Sequence, residues 1–114
     1  MTRLAPIFAA LKSENRAGFV AYVMAGDPDA DTTLKMMQGL ADKGADVLEL
    51  GVPFTDPMAD GPTIQRAAIR ALEGGMTLRG VLALVKRFRE THANTPVVLM
   101  GYANPFFSYG FEKF

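Results

Sequence analysis

The 114-residue sequence is long enough for one domain with a buried core, and its 49% hydrophobic and 21% charged residues are typical of a globular protein. Twelve basic and twelve acidic side chains cancel, so no charge excess indicates a nucleic-acid or anionic-membrane partner. The lack of cysteine excludes disulfides and thiolate metal sites, and no apolar stretch approaches the ~20 residues of a membrane span.

Targeting and metal binding are equally unsupported. The N-terminal stretch M-T-R-L-A-P-I-F has neither the extended apolar core nor the cleavage site of a signal peptide, which predicts a cytoplasmic protein. The single histidine, His92, lies in the polar run T-H-A-N-T, which predicts a solvated loop residue and not a metal ligand.

The first half of the chain predicts two helices and two strands. Apolar residues recur at helical spacing over residues 2–14, while short apolar runs bounded by glycine predict strands over 18–26 and 46–51. A second helix lies between the strands, and Asp29 or Asp31 is predicted to be its N-cap.

The second half predicts two further helices and one strand. Pro62 suits the first turn of a helix that runs to about Leu72, and Thr77 is predicted to cap the next helix. The apolar run at 96–101 predicts a third strand, followed by a loop over 102–110.

This order of elements predicts an α/β fold with a parallel sheet. Helices alternate with short strands that should be buried on both faces, as in βαβ units. Parallel sheets place their chemistry at the carboxyl ends of the strands, so the loops after the three strands are the candidate site. Three units alone do not distinguish an open doubly wound sheet from a closed barrel. No strand is followed by a G-x-G-x-x-G or G-K-[ST] motif, and this absence argues mildly against a nucleotide-binding fold.

A carboxylate within the second strand is the clearest sign of function. Glu49 lies between Leu48 and Leu50, and because strand side chains alternate it points away from both leucines, toward the interior of a barrel. Burial disfavours the charged form of a carboxylate, which suits a residue that exchanges protons. The alternatives are a glutamate paired with a buried arginine or lysine, or one at an exposed strand end.

A second carboxylate follows in the next loop. Asp60 precedes Gly61-Pro62, so it lies at or just before a helix N-terminus, where an N-cap role would explain it without any function. However, Glu49 and Asp60 belong to one strand-end loop and differ in environment. Such a difference is the usual way to obtain an acid and a base from like groups.

An ordered series of motifs resembles the tryptophan synthase α subunit family of (β/α)8 barrel enzymes. The motifs are A-G-D-P-D, G-A-D-V-L-E-L-G-V-P-F-T-D-P-M-A-D-G-P-T-I-Q, R-A-L-E-G-G and M-G-Y-A-N-P-F. Val52, Thr55 and Met58 are conservative variants of the family pattern, and Tyr22 stands where phenylalanine is frequent. The resemblance implies that residues 1–114 form the N-terminal portion of a single barrel domain, here an incomplete barrel with about three parallel strands and flanking helices.

The resemblance also implies a carbon-carbon lyase of tryptophan biosynthesis. Such an enzyme cleaves indole-3-glycerol phosphate to indole and glyceraldehyde 3-phosphate, without a metal or organic cofactor in this subunit. By the same resemblance, Glu49 is the proton shuttle and Asp60 accepts the indole N–H. Tyr22, Met100 and Tyr102 are expected to contact the substrate ring, although packing at strand ends would explain them equally well.

A partner is implied as well. In the family, the α subunit docks on a β subunit that carries pyridoxal phosphate, giving an α2β2 heterotetramer. The residues expected at this contact are Pro53, Phe54, Asp56, Pro57, Met58, Asn104 and Pro105. Asp56 is the residue expected to communicate with the β subunit.

The sequence lacks the later parts of a complete barrel. A (β/α)8 domain needs about 250 residues and usually holds phosphate in the loops after strands 7 and 8. We therefore expect the 114-residue chain alone to be aggregation-prone or dependent on a partner, with little or no cleavage activity. Two alternatives stay open at this point: a non-catalytic half-barrel that only docks a β subunit, and another barrel lyase acting on a sugar phosphate.

Overall fold

The computed structural model describes residues 2–114, in which helices alternate with three parallel strands. The elements in chain order are α1 (Leu4–Ser13), β1 (Val20–Met24), α2 (Ala30–Asp42), β2 (Val47–Gly51), α3 (Pro62–Glu73), α4 (Leu78–Arg89), β3 (Val97–Met100) and α5 (Ala103–Tyr109). This order confirms the predicted α/β class. Within the described residues, no helix is long and apolar enough to cross a membrane.

The sheet has β2 at its centre, paired in parallel with β1 on one side and β3 on the other. In this register Tyr22 of β1 lies beside Glu49 of β2, which in turn lies beside Val98 of β3. Parallel pairing brings the carboxyl ends of all three strands to one edge of the sheet. The loops that follow them therefore meet there.

One face of the sheet forms the hydrophobic core. Leu48 and Leu50 of β2 are completely buried, and they pack with Met37 of α2 and with Val81 and Phe88 of α4. Burying side chains of this size contributes about 1.5–3 kcal/mol each. Helices α2 and α4 therefore cover this face of the sheet.

The opposite face is open, which corrects the prediction that the strands are buried on both faces. Val20, Tyr22, Val98 and Met100 lie on this face and are between 36% and 55% exposed. An apolar run in the sequence does not show whether both faces of a strand are covered or whether one face meets no other described element. The sequence pattern was correct for the strand positions and wrong for this burial.

Helix boundaries follow the predicted chemistry. The Asp29 side chain accepts a hydrogen bond of 2.7 Å from the Thr32 amide, which makes Asp29, not Asp31, the cap of α2. Thr77 caps α4 through a 3.1 Å bond from the Gly80 amide.

Two predictions for the second half are wrong. Residues 102–110 contain the short helix α5, which is too short and too aromatic for helical periodicity to reveal. His92 is not a solvated loop residue, because its ring stacks on Phe88 with 4.8 Å between centroids and its Nε2 lies 2.8 Å from Asp42 Oδ1. Phe88 belongs to the core and Asp42 is distant in sequence, so the polar residues next to His92 gave no sign of either contact.

Helix α3 lies against the carboxyl end of β1. Ala67, Ala68 and Ala71 are buried against Met24, and their small side chains allow a close approach. Arg70 of the same helix forms a bidentate ion pair with Asp27, with distances of 2.7 and 2.9 Å. This pair fixes α3 to the loop that follows β1.

Replacement of Arg70 by methionine tests this attachment. The hydrogen bonds from Arg70 lower the pKa of Asp27 below its usual value near 3.8. A carboxylate with a lowered pKa stabilises the fold above its unfolded pKa and loses that contribution as pH falls through its folded pKa. We expect Arg70→Met to lower the urea midpoint slightly at pH 7, since Arg70 is half exposed, and the difference from the parent chain to vanish below the folded pKa of Asp27.

The matched control is Arg66→Met, because Arg66 is exposed on the same helix and forms no ion pair with another described residue. A loss of stability from Arg70→Met that is unchanged at acid pH would contradict the attachment through Asp27.

Candidate active site

The ends of β1 and β3, together with the loops after β2 and β3, line a cavity at the carboxyl edge of the sheet. Its volume is about 210 Å³. The residues that line it are Tyr22, Met24, Val52, Ala59, Asp60, Met100, Gly101 and Tyr102. Asp60 is the only acidic residue among them, so the cavity has apolar and aromatic walls with one carboxylate.

A larger groove of about 750 Å³ runs along the free edge of β1, between that strand and α2. It is lined mainly by apolar side chains such as Phe19, Val20 and Leu40, and none of its lining residues is acidic. This groove therefore offers mainly apolar packing surface and no carboxylate.

Glu49 points to the open face of the sheet, as its position between two buried leucines predicts. Its neighbours across the strands are Tyr22 and Val98. The residue is partly buried, less than the sequence suggested, because this face is open. Among residues 2–114 no side chain forms an ion pair with Glu49, so the alternative of a buried arginine or lysine partner is not what the described chain shows.

Asp60 is not a helix cap. The N-cap of α3 is Gly61, which makes no side-chain capping bond, and Pro62 follows as the first helical residue. Within the described part of the chain, the Asp60 carboxylate has no ion-pair partner either. Its side chain lines the cavity instead, where both oxygens are available to a ligand.

Tyr22 connects the two carboxylates electrostatically. Burial raises the pKa of the Tyr22 phenol above its ordinary value, and the negative charges of Asp60 and Glu49 raise it further. The phenol lies across the end of β2, since a Cβ on Gly51 would be 2.2 Å from its hydroxyl oxygen. The charges of Glu49 and Asp60 therefore both act on the Tyr22 phenol.

The two remaining ring-contact candidates also line the cavity. Met100 at the end of β3 is 55% exposed and presents an apolar surface. Tyr102 has a structural contact in addition, because its hydroxyl accepts a 2.8 Å hydrogen bond from the Ala59 amide and its ring lies 5.5 Å from that of Phe54.

The predicted docking residues differ in accessibility. Met58 is 83% exposed, and Asp56 and Asn104 are also exposed. The others have less free surface in the described chain: Pro53 is buried, and Phe54, Pro57 and Pro105 are partly buried. Met58 and Asp56 thus form the accessible tip of the loop after β2.

Comparison with known proteins identifies the family. The sequence model of the family described as "Tryptophan synthase alpha chain" matches residues 8–114. The chain belongs to the tryptophan synthase alpha chain family. It is 66% identical over 107 residues to the alpha chain of Caulobacter sp. strain K31, and 60% identical over 114 residues to that of Dechloromonas aromatica strain RCB.

Solved structures of the tryptophan synthase alpha chain family share the fold. Subunit alpha from Legionella pneumophila str. Paris superposes with a TM-score of 0.97 at 46% identity, covering 99% of this chain and 43% of that one. The described residues are thus three consecutive strands, with their helices, of a (β/α)8 barrel. The match covers 94% of this chain for the Caulobacter relative and 100% for the Dechloromonas relative, but this chain spans only 39% and 42% of their lengths.

One residue of this family site was missed by the sequence reasoning. Gln65 on α3 donates hydrogen bonds to the backbone of the loop that carries Asp60. A polar residue in the first turn of a helix gives no sign of such contacts, because they depend on how the loop folds back. Among the described residues, no cluster of three or more histidine, aspartate or glutamate side chains could hold a metal ion.

Substitution of Asp60 tests whether the three site residues meet. At alkaline pH both carboxylates are charged, so they oppose ionisation of the phenol, and Asp60→Asn removes one of these charges. We expect Asp60→Asn to lower the pKa of Tyr22 without returning it to its ordinary value, since burial and Glu49 remain. An NMR titration of ring-labelled tyrosine measures this change.

Asp56→Asn is the control, because Asp56 lies in the same loop but does not contribute to the pKa of Tyr22. An equal shift in both variants would mean that Asp60 and Tyr22 do not face each other.

Proposed function

We propose that this chain supplies the two catalytic carboxylates of a lyase that cleaves indole-3-glycerol phosphate to indole and glyceraldehyde 3-phosphate. The observation that carries the proposal is the Asp60 carboxylate, which lies in an apolar and aromatic cavity and has no ion-pair partner in residues 2–114. A carboxylate without a partner in such a cavity can accept a hydrogen bond from a ligand. Membership of the alpha chain family supports the same reaction.

The reaction requires two kinds of charge control. The bond between indole C3 and the glycerol chain breaks after C3 is protonated, and protonation leaves positive charge on the ring nitrogen. The hydroxyl on the adjacent carbon then loses its proton as the aldehyde forms. The reaction therefore needs a group that exchanges protons and a fixed negative charge near the ring nitrogen.

Glu49 is suited to the proton exchange. It lies on the open face of β2 and forms no ion pair with another described residue, so no fixed cation occupies its carboxyl group. In the proposed mechanism Glu49 gives its proton to indole C3, and the resulting carboxylate takes the proton from the hydroxyl. One residue thus acts as acid and base in turn, and no cofactor is needed in this subunit.

Asp60 is suited to the electrostatic role. We assign it as the acceptor of the indole N–H, where its charge stabilises the cationic ring formed by protonation. Tyr22, Met100 and Tyr102, which line the same cavity, are the proposed contacts of the flat indole ring.

The loop after β2 is also the proposed docking site for a β subunit that carries pyridoxal phosphate, in an α2β2 assembly in the cytoplasm. The exposed Met58 side chain at the loop tip would be an apolar anchor, and Asp56 beside it would carry the communicating charge. Pro53, Phe54, Pro57, Asn104 and Pro105 complete the proposed contact region. Pro53 and Pro57 restrict the loop before docking and so reduce its entropy loss.

Glu49→Gln tests the proton shuttle. The experiment uses a chimera, defined as the full-length Caulobacter relative in which this chain replaces the matching segment. We expect Glu49→Gln to lower the rate of indole release by about 10²–10⁴-fold, since glutamine cannot exchange protons, while binding to a β subunit is retained. Unchanged indole release would exclude Glu49 as the shuttle. Cleavage of a sugar phosphate that has no indole ring would favour a different barrel lyase.

Met58→Ser tests the docking surface. Because Met58 is almost fully exposed, its replacement removes apolar contact area without disturbing the fold. We expect weaker binding of the chimera to a β subunit, measured by calorimetry, with unchanged indole release in its absence. The control is Lys35→Ser, an exposed position on α2 that is distant in sequence from the loop, and equal weakening by both variants would contradict the assignment.

A further inference from the structure

Gln65 holds the backbone of the loop that carries Asp60. Its side-chain amide nitrogen donates two hydrogen bonds, one of 2.8 Å to the carbonyl oxygen of Asp60 and one of 3.2 Å to that of Pro57. Both partners are acceptors, so the nitrogen end of the amide must face the loop. The two hydrogens of a planar amide point in fixed directions, so the single side chain fixes the two carbonyl groups relative to each other.

The two carbonyl groups belong to the two proposed roles of the loop. Pro57 lies in the segment assigned to docking, whereas Asp60 is the residue assigned to the indole nitrogen. Asp60 is three positions after Pro57, and a 3.1 Å bond from the Asp60 amide to the Pro57 carbonyl closes a turn between them. A displacement of the docking segment is therefore transmitted to the backbone of Asp60.

Gln65 is itself fixed to a rigid element. Its backbone amide donates a 3.0 Å bond to the Gly61 carbonyl in the first turn of α3. That helix is held by its alanine contacts with Met24 and by the ion pair between Arg70 and Asp27. The Gln65 amide can thus act as a fixed point for the loop.

The loop is held from the opposite side by Tyr102. The Ala59 amide donates a 2.8 Å hydrogen bond to the Tyr102 hydroxyl, which comes from the end of β3. Consecutive residues Ala59 and Asp60 are thus bonded to two different elements of the barrel. These contacts leave the Asp60 side chain directed into the cavity.

We propose that Gln65 is a positioning residue that couples the docking segment at Pro57 to the orientation of Asp60. A partner bound at Pro57 and Met58 would then adjust Asp60 through this amide together with the turn that it supports. The proposal rests on the proposed function for its catalytic consequence, but the coupling itself is a property of the loop.

The first test measures the loop in the full-length chimera defined above, because we expect the 114-residue chain alone to aggregate or to depend on a partner. Gln65→Met keeps the length of the side chain and removes both donors. We expect amide hydrogen exchange at Ala59 and Asp60 to become at least about ten-fold faster, because the turn loses its outer support. We also expect the pKa of Tyr22 to fall, since Asp60 moves away from the phenol.

The matched control is Gln38→Met. The Gln38 amide makes one long contact of 3.4 Å to the Thr91 hydroxyl at the surface of α2, far from the loop in sequence. We expect this variant to leave the exchange rates and the Tyr22 titration unchanged. If Gln65→Met also left both unchanged, the coupling would be refuted.

The second test measures catalysis in the same chimera. We expect Gln65→Met to lower kcat for indole release by about ten-fold with KM within about three-fold, and to reduce the stimulation of kcat by a β subunit. A general loss of structure would instead raise KM or lower Tm. A raised KM or a lowered Tm, with the stimulation of kcat by a β subunit unchanged, would overturn the proposal.

The same chimera separates this proposal from the proposed function. If Asp60→Asn retained full indole release, the catalytic assignment would fail, while the exchange and titration measurements would still decide whether Gln65 positions the loop.

Discussion

The site depends on the alternation of side chains along β2. Leu48 and Leu50 are completely buried against the helices, and because strand side chains alternate, Glu49 is forced onto the opposite face. Parallel pairing on both sides then places Tyr22 and Val98 beside Glu49 and brings the loops after all three strands to one edge. A shift of β2 by one residue would bury the Glu49 carboxylate under the helices and would also move Leu48 and Leu50 out of the core.

The loop after β2 is the second determinant of the site. It leaves the strand at Val52 and reaches the first turn of α3 at Pro62, and between these points it is held by side chains from two other elements. Tyr102 bonds to it from the segment between β3 and α5, and Gln65 from α3. This arrangement gives one short segment an exposed apolar tip at Met58 and a carboxylate at Asp60 that lines the cavity.

The features that depend on local pattern were predictable from the sequence. Strand alternation gave the direction of Glu49, and turn and cap chemistry gave the ends of α2, α3 and α4. Features that depend on tertiary contact were not: the pairing of His92 with Asp42, the folding of 102–110 into α5, and the bonds from Gln65 all join residues through packing. The expected role of Asp60 came from resemblance, whereas its exclusion as a helix cap required the structure.

The most direct test of this account is a crystal structure of the full-length chimera with indole bound. The account predicts the ring in the cavity between Tyr22, Met100 and Tyr102, with its N–H within about 2.7–3.2 Å of an Asp60 carboxylate oxygen. Indole bound with its nitrogen away from Asp60, or bound only in the apolar groove along β1, would contradict the central claim that Asp60 and Glu49 form the site for cleavage.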